Sequence, residues 1–215
     1  MTKKTALLAL LAFGLGPFAL ALGSEDRSNP GTSGDAVLAT GSIPTTGGHF
    51  FEKRLELPVA DFAQDDPRWG QEHLGPTTDT LADEGCTLTS VVMVLNYYKV
   101  RCDPSLLNHF LASHGGYDEE GLLDFERVVE FAPDKVRLDY QGDPSYDALD
   151  RNLLAGHPVI VQLTLYGGYR HFVVVMGKQG YDYLVRDPAA YPAESLVTLK
   201  SLAPKIEQQY VYRLR

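Results

Sequence analysis

The segment "CTLTSVVMVLNYYKV" places apolar residues at intervals of three and four, which is the spacing of one face of a helix. It predicts a helix from residue 86 to about residue 99. Similar patterns predict further helices over about 104–113, 121–131 and 145–155. The patterns therefore assign most of the middle of the chain to helices.

Strand patterns concentrate in the last third of the chain. In "HFVVVMGKQGYDYLVRDP", an apolar run and an alternating run flank "GKQG", which predicts a hairpin of strands 171–177 and 181–187. Further strands are predicted over about 158–165 and near 208–213. Helices followed by consecutive strands indicate an α+β fold, with helices packed beside an antiparallel sheet.

The N-terminus has the features of a signal peptide over residues 1–21. "MTKK" is basic, the next stretch is apolar, and Ala19-Leu20-Ala21 fits a small-x-small cleavage site. We expect cleavage after Ala21 and export to the periplasm or the extracellular space; an uncleaved anchor is the alternative. Residues 22–54 are predicted to be a flexible linker, because this Gly-, Ser-, Thr- and Pro-rich composition buries little apolar surface. The folded domain is predicted over 55–215, with no integral membrane domain after signal cleavage.

Composition narrows the possible partners. The chain has 215 residues, 44% of them apolar, and a net charge of −9. This charge argues against nucleic acid as a partner, because phosphate binding requires a basic patch. The sequence contains no cluster with metal-ligand spacing, so we expect no metal and no other cofactor. We also expect a monomer.

The two cysteines are predicted not to pair. A helix between Cys86 and Cys102 would rise by roughly 20 Å, whereas a disulfide requires Cα atoms within about 7 Å. Cys86 follows Gly85 at the predicted helix start, where free N–H groups and the helix dipole stabilise a thiolate. From this segment alone, Cys86 could be a nucleophile or a small packed residue. Cys102 is expected to be incidental.

A nucleophilic thiol needs a base, and one of the six histidines has a suitable context. His171 opens one predicted strand and Asp187 closes the next, each eight residues from Gln179 at the hairpin centre. This register predicts a carboxylate beside the imidazole. Cys86, His171 and Asp187 would then form the nucleophile, base and orienting group of a thiol hydrolase; an incidental charge pair is the alternative. The other histidines are expected to serve surface or packing roles: His49, His73, His109, His114 and His157.

The chain resembles the papain-like cysteine peptidases related to the double-glycine leader peptidases, which process bacteriocins. The resemblance runs from about residue 57 to about 200 and rests on "FAQDDPRWG", "EGCTLTSVVMVLNYY", "DPSLLN", "AGHPVIVQL", "HFVVVMGK" and "YLVRDPA". It implies a papain-like fold in which Cys86 is the nucleophile, His171 the general base and acid, and Asp187 the orienting residue. It also implies that Gln64 completes an oxyanion hole with the backbone N–H of Cys86.

Two departures from the family pattern matter. The chain has no exporter membrane domain and no ATPase, so processing coupled to transport is not supported. Gln64 also precedes Cys86 by 22 positions, whereas the exporter peptidases place this glutamine a few residues before the cysteine. "YGGYR", residues 166–170, is predicted to be a flexible loop at the mouth of the site.

The resulting hypothesis is an exported thiol hydrolase that cleaves a peptide or isopeptide bond through a thioester acyl-enzyme. Its partner would be a peptide or protein substrate. Two alternatives remain open. One is a thiol acyltransferase or cell-wall amidase of the same fold, which differs in the group that accepts the acyl chain. The other is a non-catalytic binding module, which would not require Cys86, His171 and Asp187.

Overall fold

The computed structural model describes residues 41–189 and 197–215. Within these residues the helices are α1 (Leu81–Glu84), α2 (Cys86–Tyr97), α3 (Pro104–Ser113), α4 (Tyr146–Leu154), α5 (Leu199–Leu202) and a 3₁₀ helix (Arg127–Phe131). Helices α2, α3 and α4 confirm three of the four predicted helices. None of the helices in the described ranges is both long and apolar enough to cross a bilayer. The predicted signal peptide lies outside the described residues.

The described strands form one sheet in which every pairing is antiparallel. They are β1 (Ile43–Pro44), β2 (Thr46–Glu56), β3 (Val136–Gly142), β4 (Val159–Thr164), β5 (Arg170–Arg186), β6 (Val197–Thr198) and β7 (Lys205–Leu214). The main path is β1-β7-β4-β5-β2, while β3 pairs with β7 and β6 with β5. Helices beside an antiparallel sheet confirm the predicted α+β class.

The predicted linker is wrong over its C-terminal part. Residues 43–54 belong to β1 and β2, and β2 pairs with β5 from Thr46 to Glu56. Strand β2 is rich in polar residues because most of its side chains face solvent; Phe51 is the buried exception. The buried Lys178 also fixes the backbone of β2, because its ammonium group donates to the carbonyl of Gly47 at 2.8 Å. The folded domain therefore begins no later than Ile43.

The helix predicted over 121–131 is a 3₁₀ turn over Arg127–Phe131. Gly121 has a φ of +79°, outside the right-handed helical region. Asp124 then accepts a side-chain hydrogen bond from the backbone N–H of Glu126, and such local bonds compete with the helical pattern. The first half of the predicted helix is therefore a loop.

The predicted hairpin forms one continuous stretch, β5, from Arg170 to Arg186. The run nevertheless folds back on itself. An extended strand of this length would separate its ends by about 50 Å, yet His171 and Asp187 are in contact at 2.7 Å. Lys178 contacts Tyr183, and Gly180 between them has a φ of +60°. The reversal thus lies near Gly180, one residue beyond the predicted centre, where Gly180 pairs with Phe51 of β2.

Helix α2 is the centre of the core. Nine of its twelve residues are buried, including Val91, Val92 and Leu95, and the helix lies against β5. The Ser90 hydroxyl donates to the carbonyl of Phe172 at 3.2 Å. This bond joins the first turns of the helix that begins at Cys86 to the strand residue that follows His171.

Candidate active site

Cys86 is the first residue of α2, as the sequence predicts. Helix α1 ends at Glu84, and Gly85 between the two helices donates its N–H to the carbonyl of Leu81 at 2.9 Å. A Cβ atom at Gly85 would lie 2.4 Å from that oxygen, so a side chain there would displace the turn that presents Cys86. Both cysteines are free and buried, which confirms the predicted absence of a disulfide. At the first helical position, the N–H of Cys86 has no intrahelical acceptor.

His171 lies near the start of β5, opposite Leu163 of β4. Its Nε2 lies 2.7 Å from Oδ1 of Asp187, and the side chains are 7% and 11% exposed. The same carboxylate oxygen accepts a bond from the backbone N–H of Ala189 at 2.9 Å, which fixes its direction. Because Nε2 faces Asp187, Nδ1 is the ring nitrogen left for Cys86.

The surroundings of His171 favour its protonated form. Burial lowers the pKa of the ring, but interactions with Asp187 and with the Cys86 thiol outweigh burial and raise the pKa to about 9. The ring therefore bonds to Asp187 and also interacts with the Cys86 thiol.

Gln64 lies in the same cleft despite its distance along the chain. Its backbone N–H bonds to the carbonyl of Pro188, next to Asp187, at 2.8 Å. Its side-chain Nε2 donates to the carbonyl of Ala82 at 2.8 Å, which leaves one of two amide N–H groups available. The side-chain Oε1 is buried and has no partner among the described residues. Although Gln64 lies 22 positions before Cys86 in the sequence, the fold therefore brings the Gln64 side chain into the same cleft.

Gln64, Cys86 and His171 line a cleft of about 890 Å³. Its lining includes Cys86 and His171 together with apolar side chains such as Leu88 and Phe125. Gly168, Tyr169 and Arg170 also line it, from the stretch that the sequence predicts to be a loop, although Arg170 is the first residue of β5. Residues 165–169 form a hydrogen-bonded turn there, closed by the N–H of Leu165 and the carbonyl of Tyr169.

Cys102 has a different environment. Burial raises the pKa of its thiol to about 12, and the nearby Asp103 acts in the same direction. Asn96 donates to the carbonyl of Cys102 at 2.7 Å. The residue lies outside the cleft lining and packs beyond the end of α2, as expected of an incidental cysteine.

Two features of the site were not predicted. Arg186 lies 3.1 Å from Asp61, so the segment before Gln64 is braced against the strand end before Asp187. Carboxylates also line the cleft, among them Glu84, two residues before Cys86. The acidic "ADEG" before Cys86 was a visible signal for these carboxylates; the Asp61 contact had none. In the described ranges, no group of three or more His, Cys, Asp or Glu side chains is placed to hold a metal.

Comparison with known proteins identifies the family and supports the fold. The family model of the peptidase C39 family matches residues 77–200, a span that contains Cys86, His171 and Asp187 but not Gln64. Among solved structures, the chain is similar to a crystal structure from Bacillus anthracis described as a C39-like peptidase. The TM-score is 0.50 at 18% identity, and the match covers 76% of this chain and 100% of that chain. At this identity the likeness supports the fold alone. No curated protein matches the chain.

Proposed function

The chain belongs to the peptidase C39 family, a relative of the papain-like cysteine peptidases, and on that premise we propose that it is an exported thiol hydrolase. Its substrate is a peptide or isopeptide bond, and its intermediate is a thioester. The observation that supports this most strongly is the buried 2.7 Å contact between His171 and Asp187, in the cleft where Cys86 begins a helix. A binding module would not need a thiol, an imidazole and a carboxylate in this arrangement.

The first step is attack of the Cys86 thiolate on the carbonyl carbon. The sulfur–carbon bond forms, and the carbonyl electron pair moves to oxygen. The N–H of Cys86 and the second amide N–H of Gln64 donate to this oxyanion. Donors placed at the developing negative charge lower the energy of the transition state. The protonated form of His171 favours the thiolate before attack, because opposite charges stabilise each other.

Collapse of the tetrahedral intermediate breaks the carbon–nitrogen bond. His171 gives the proton on Nδ1 to the leaving amine and becomes neutral. The ring then takes a proton from water, whose oxygen attacks the thioester and releases the acid. Through both steps Asp187 holds the ring by its Nε2 side. The proton taken from water remains on the ring, and the thiolate–imidazolium pair is restored.

Active-site labelling tests this proposal. A library of peptides ending in an electrophilic ketone is incubated with the wild-type protein, and intact-mass and peptide mass spectrometry locate the adduct. We expect one adduct on Cys86 and none in His171→Ala at the same pH. The trapped sequences then guide synthesis of amide substrates, and turnover must disappear in Cys86→Ala. Labelling that is independent of His171, or an amide substrate set that is bound and never cleaved, would contradict the proposal.

Export rests on the predicted signal peptide and is tested separately. The chain expressed with its own N-terminus should appear outside the cytoplasm, and N-terminal sequencing should begin near Leu22. Exported protein that retains Met1 would indicate an anchor. Adding an amine to the cleavage assay also separates hydrolysis from acyl transfer, since a transferase would give the amide product in preference to the acid.

A further inference from the structure

One wall of the cleft is acidic. Four carboxylates line it, and all four side chains are exposed: Asp79, Asp83, Glu84 and Glu120. Across the described ranges, none of the four takes part in an ion pair; Asp83 accepts only a bond from the hydroxyl of Thr80. The one basic residue of the lining other than His171 is Arg170. Unpaired charges of one sign at a cleft concentrate ligands of the opposite sign.

The acidic wall comes from two segments of the chain. Asp83 and Glu84 lie in α1, and only Gly85 separates Glu84 from Cys86, so the two Cα atoms are within about 7.6 Å. Glu120 belongs to a separate turn that is closed by the bridge between Tyr117 and Leu123. The hydroxyl of Tyr117 donates to the buried Asn108, which holds this turn on α3. The carboxylates are therefore presented by supported backbone on both segments.

Gln64 joins the acidic segment to the rest of the cleft. Its side chain lines the same cleft, is bonded to Ala82 in the acidic segment, and is only 6% exposed. This bond fixes the acidic segment beside the catalytic residues proposed above. Carboxylates held there favour a ligand that carries positive charge.

We infer that the cleft selects peptides whose residues next to the scissile bond are basic, with a Lys or Arg side chain against Glu84 and Glu120. This inference names the substrate class of the site and rests on the proposed function for the position of the scissile bond. An acidic residue at the same place would meet four like charges and would bind poorly. Because the carboxylates are exposed, the preference should weaken as the ionic strength rises.

Binding to a variant that cannot turn over tests the inference. Cys86→Ala is titrated against two fluorescent peptides that differ only in Lys or Glu at the residues flanking the central amide bond. We expect the Lys peptide to bind more tightly by about tenfold or more at low ionic strength, with most of the difference lost at high ionic strength. Adding Glu84→Gln and Glu120→Gln to Cys86→Ala should remove most of the preference.

Glu52→Gln is the matched control. It removes one exposed carboxylate from β2, outside the cleft lining, and should leave the preference unchanged. Equal binding of both peptides, tighter binding of the Glu peptide, or an equal loss in Glu52→Gln would overturn the inference. The result is independent of catalysis: charge preference without cleavage by the wild type contradicts the proposed function alone, and cleavage without charge preference contradicts this inference alone.

Discussion

Two buried acid–base pairs involve β5, and they differ in what surrounds them. His171 and Asp187 meet at 2.7 Å with side chains that are 7% and 11% exposed, and His171 lines the cleft. Lys178 and Asp150 meet at 2.6 Å with side chains that are 0% and 1% exposed, and neither lines the cleft. The contacts are alike in distance and in chemistry. Access to the cleft is the clearest difference.

The enclosed pair has its polar atoms committed to fixed partners. Lys178 also bonds to the carbonyl of Gly47 and lies 3.1 Å from the hydroxyl of Tyr183, while Asp150 accepts the N–H of His49. The bonds to Gly47 and His49 hold β2 on the sheet. The pair at the cleft leaves Nδ1 of the ring facing a thiol. A buried ion pair thus indicates chemistry only when one of its groups keeps a free atom toward a cavity.

The largest effect on activity is expected at Asp187. Asp187→Ala leaves nothing to orient the ring, so kcat/KM should fall by about a thousandfold to ten-thousandfold. Asp187→Asn retains an oxygen that accepts from Nε2 but loses the negative charge that favours the imidazolium. Asn should therefore retain substantial activity, and the pKa of His171 should fall, which moves the alkaline limb of the pH–rate profile to lower pH.

Circular dichroism and denaturant titration check that both variants are folded. Equal inactivity of Asp187→Asn and Asp187→Ala would show that the ion pair is not preformed or that Asp187 has another role. Full activity of both would show that another residue orients His171.

Breaking the Lys178–Asp150 pair should lower the stability of the fold and leave the catalytic rate unchanged. Lys178→Met leaves the Asp150 carboxylate buried and unpaired, so the free energy of unfolding should fall by about 3–5 kcal/mol. The kcat per folded molecule should stay near the wild-type value. Urea titration measures the free energy of unfolding, and active-site titration gives the concentration of folded enzyme from which kcat is calculated. Lys53→Met is the control, because Lys53 lies exposed on β2, the strand that Lys178 holds. A similar loss in both variants would contradict a clamp at Lys178.

The stability that the His171–Asp187 pair contributes should depend on pH. His171 has a folded pKa of about 9, against about 6.5 when unfolded, so its interactions stabilise the fold fully below pH 6.5. That contribution, on the order of 3 kcal/mol, should be lost as the pH rises through 9. The measurement is the difference between wild-type and Asp187→Asn unfolding curves over this range, which cancels titrations common to both. Parallel curves would contradict a contribution of Asp187 to the raised pKa of His171.

A smaller effect is expected at Gln64. Removing one oxyanion donor costs roughly a hundredfold in kcat, so Gln64→Ala should lose about that much with little change in KM. Gln71→Ala, at an exposed position of the same segment, should be unaffected. A near-normal kcat in Gln64→Ala would show that the amide bonded to Ala82 does not reach the oxyanion.

The placement of Cys86 at a helix start and of His171 beside Asp187 was predictable because its signals are local. Cys86 and its helix share one segment, and His171 and Asp187 are near enough along the chain for a hairpin argument to join them. Gln64 was accessible only through family resemblance, since nothing near it in the sequence refers to Cys86. Lys178 and Asp150 could not be paired from sequence, because their contact depends on how α4 packs against β5. Strand β2 was missed because its stability comes from partners far along the chain and not from its own composition.

Differential alkylation of the two thiols tests the central claim most directly. The wild-type protein is treated with iodoacetamide near pH 6, where an ordinary thiol is mostly protonated, and labelling at each cysteine is followed by mass spectrometry. Cys86 should react, and Cys102, whose pKa burial raises to about 12, should not. His171→Ala should slow the labelling of Cys86 and leave Cys102 unchanged. Equal labelling of the two cysteines, or labelling of Cys86 that does not depend on His171, would contradict an activated nucleophile.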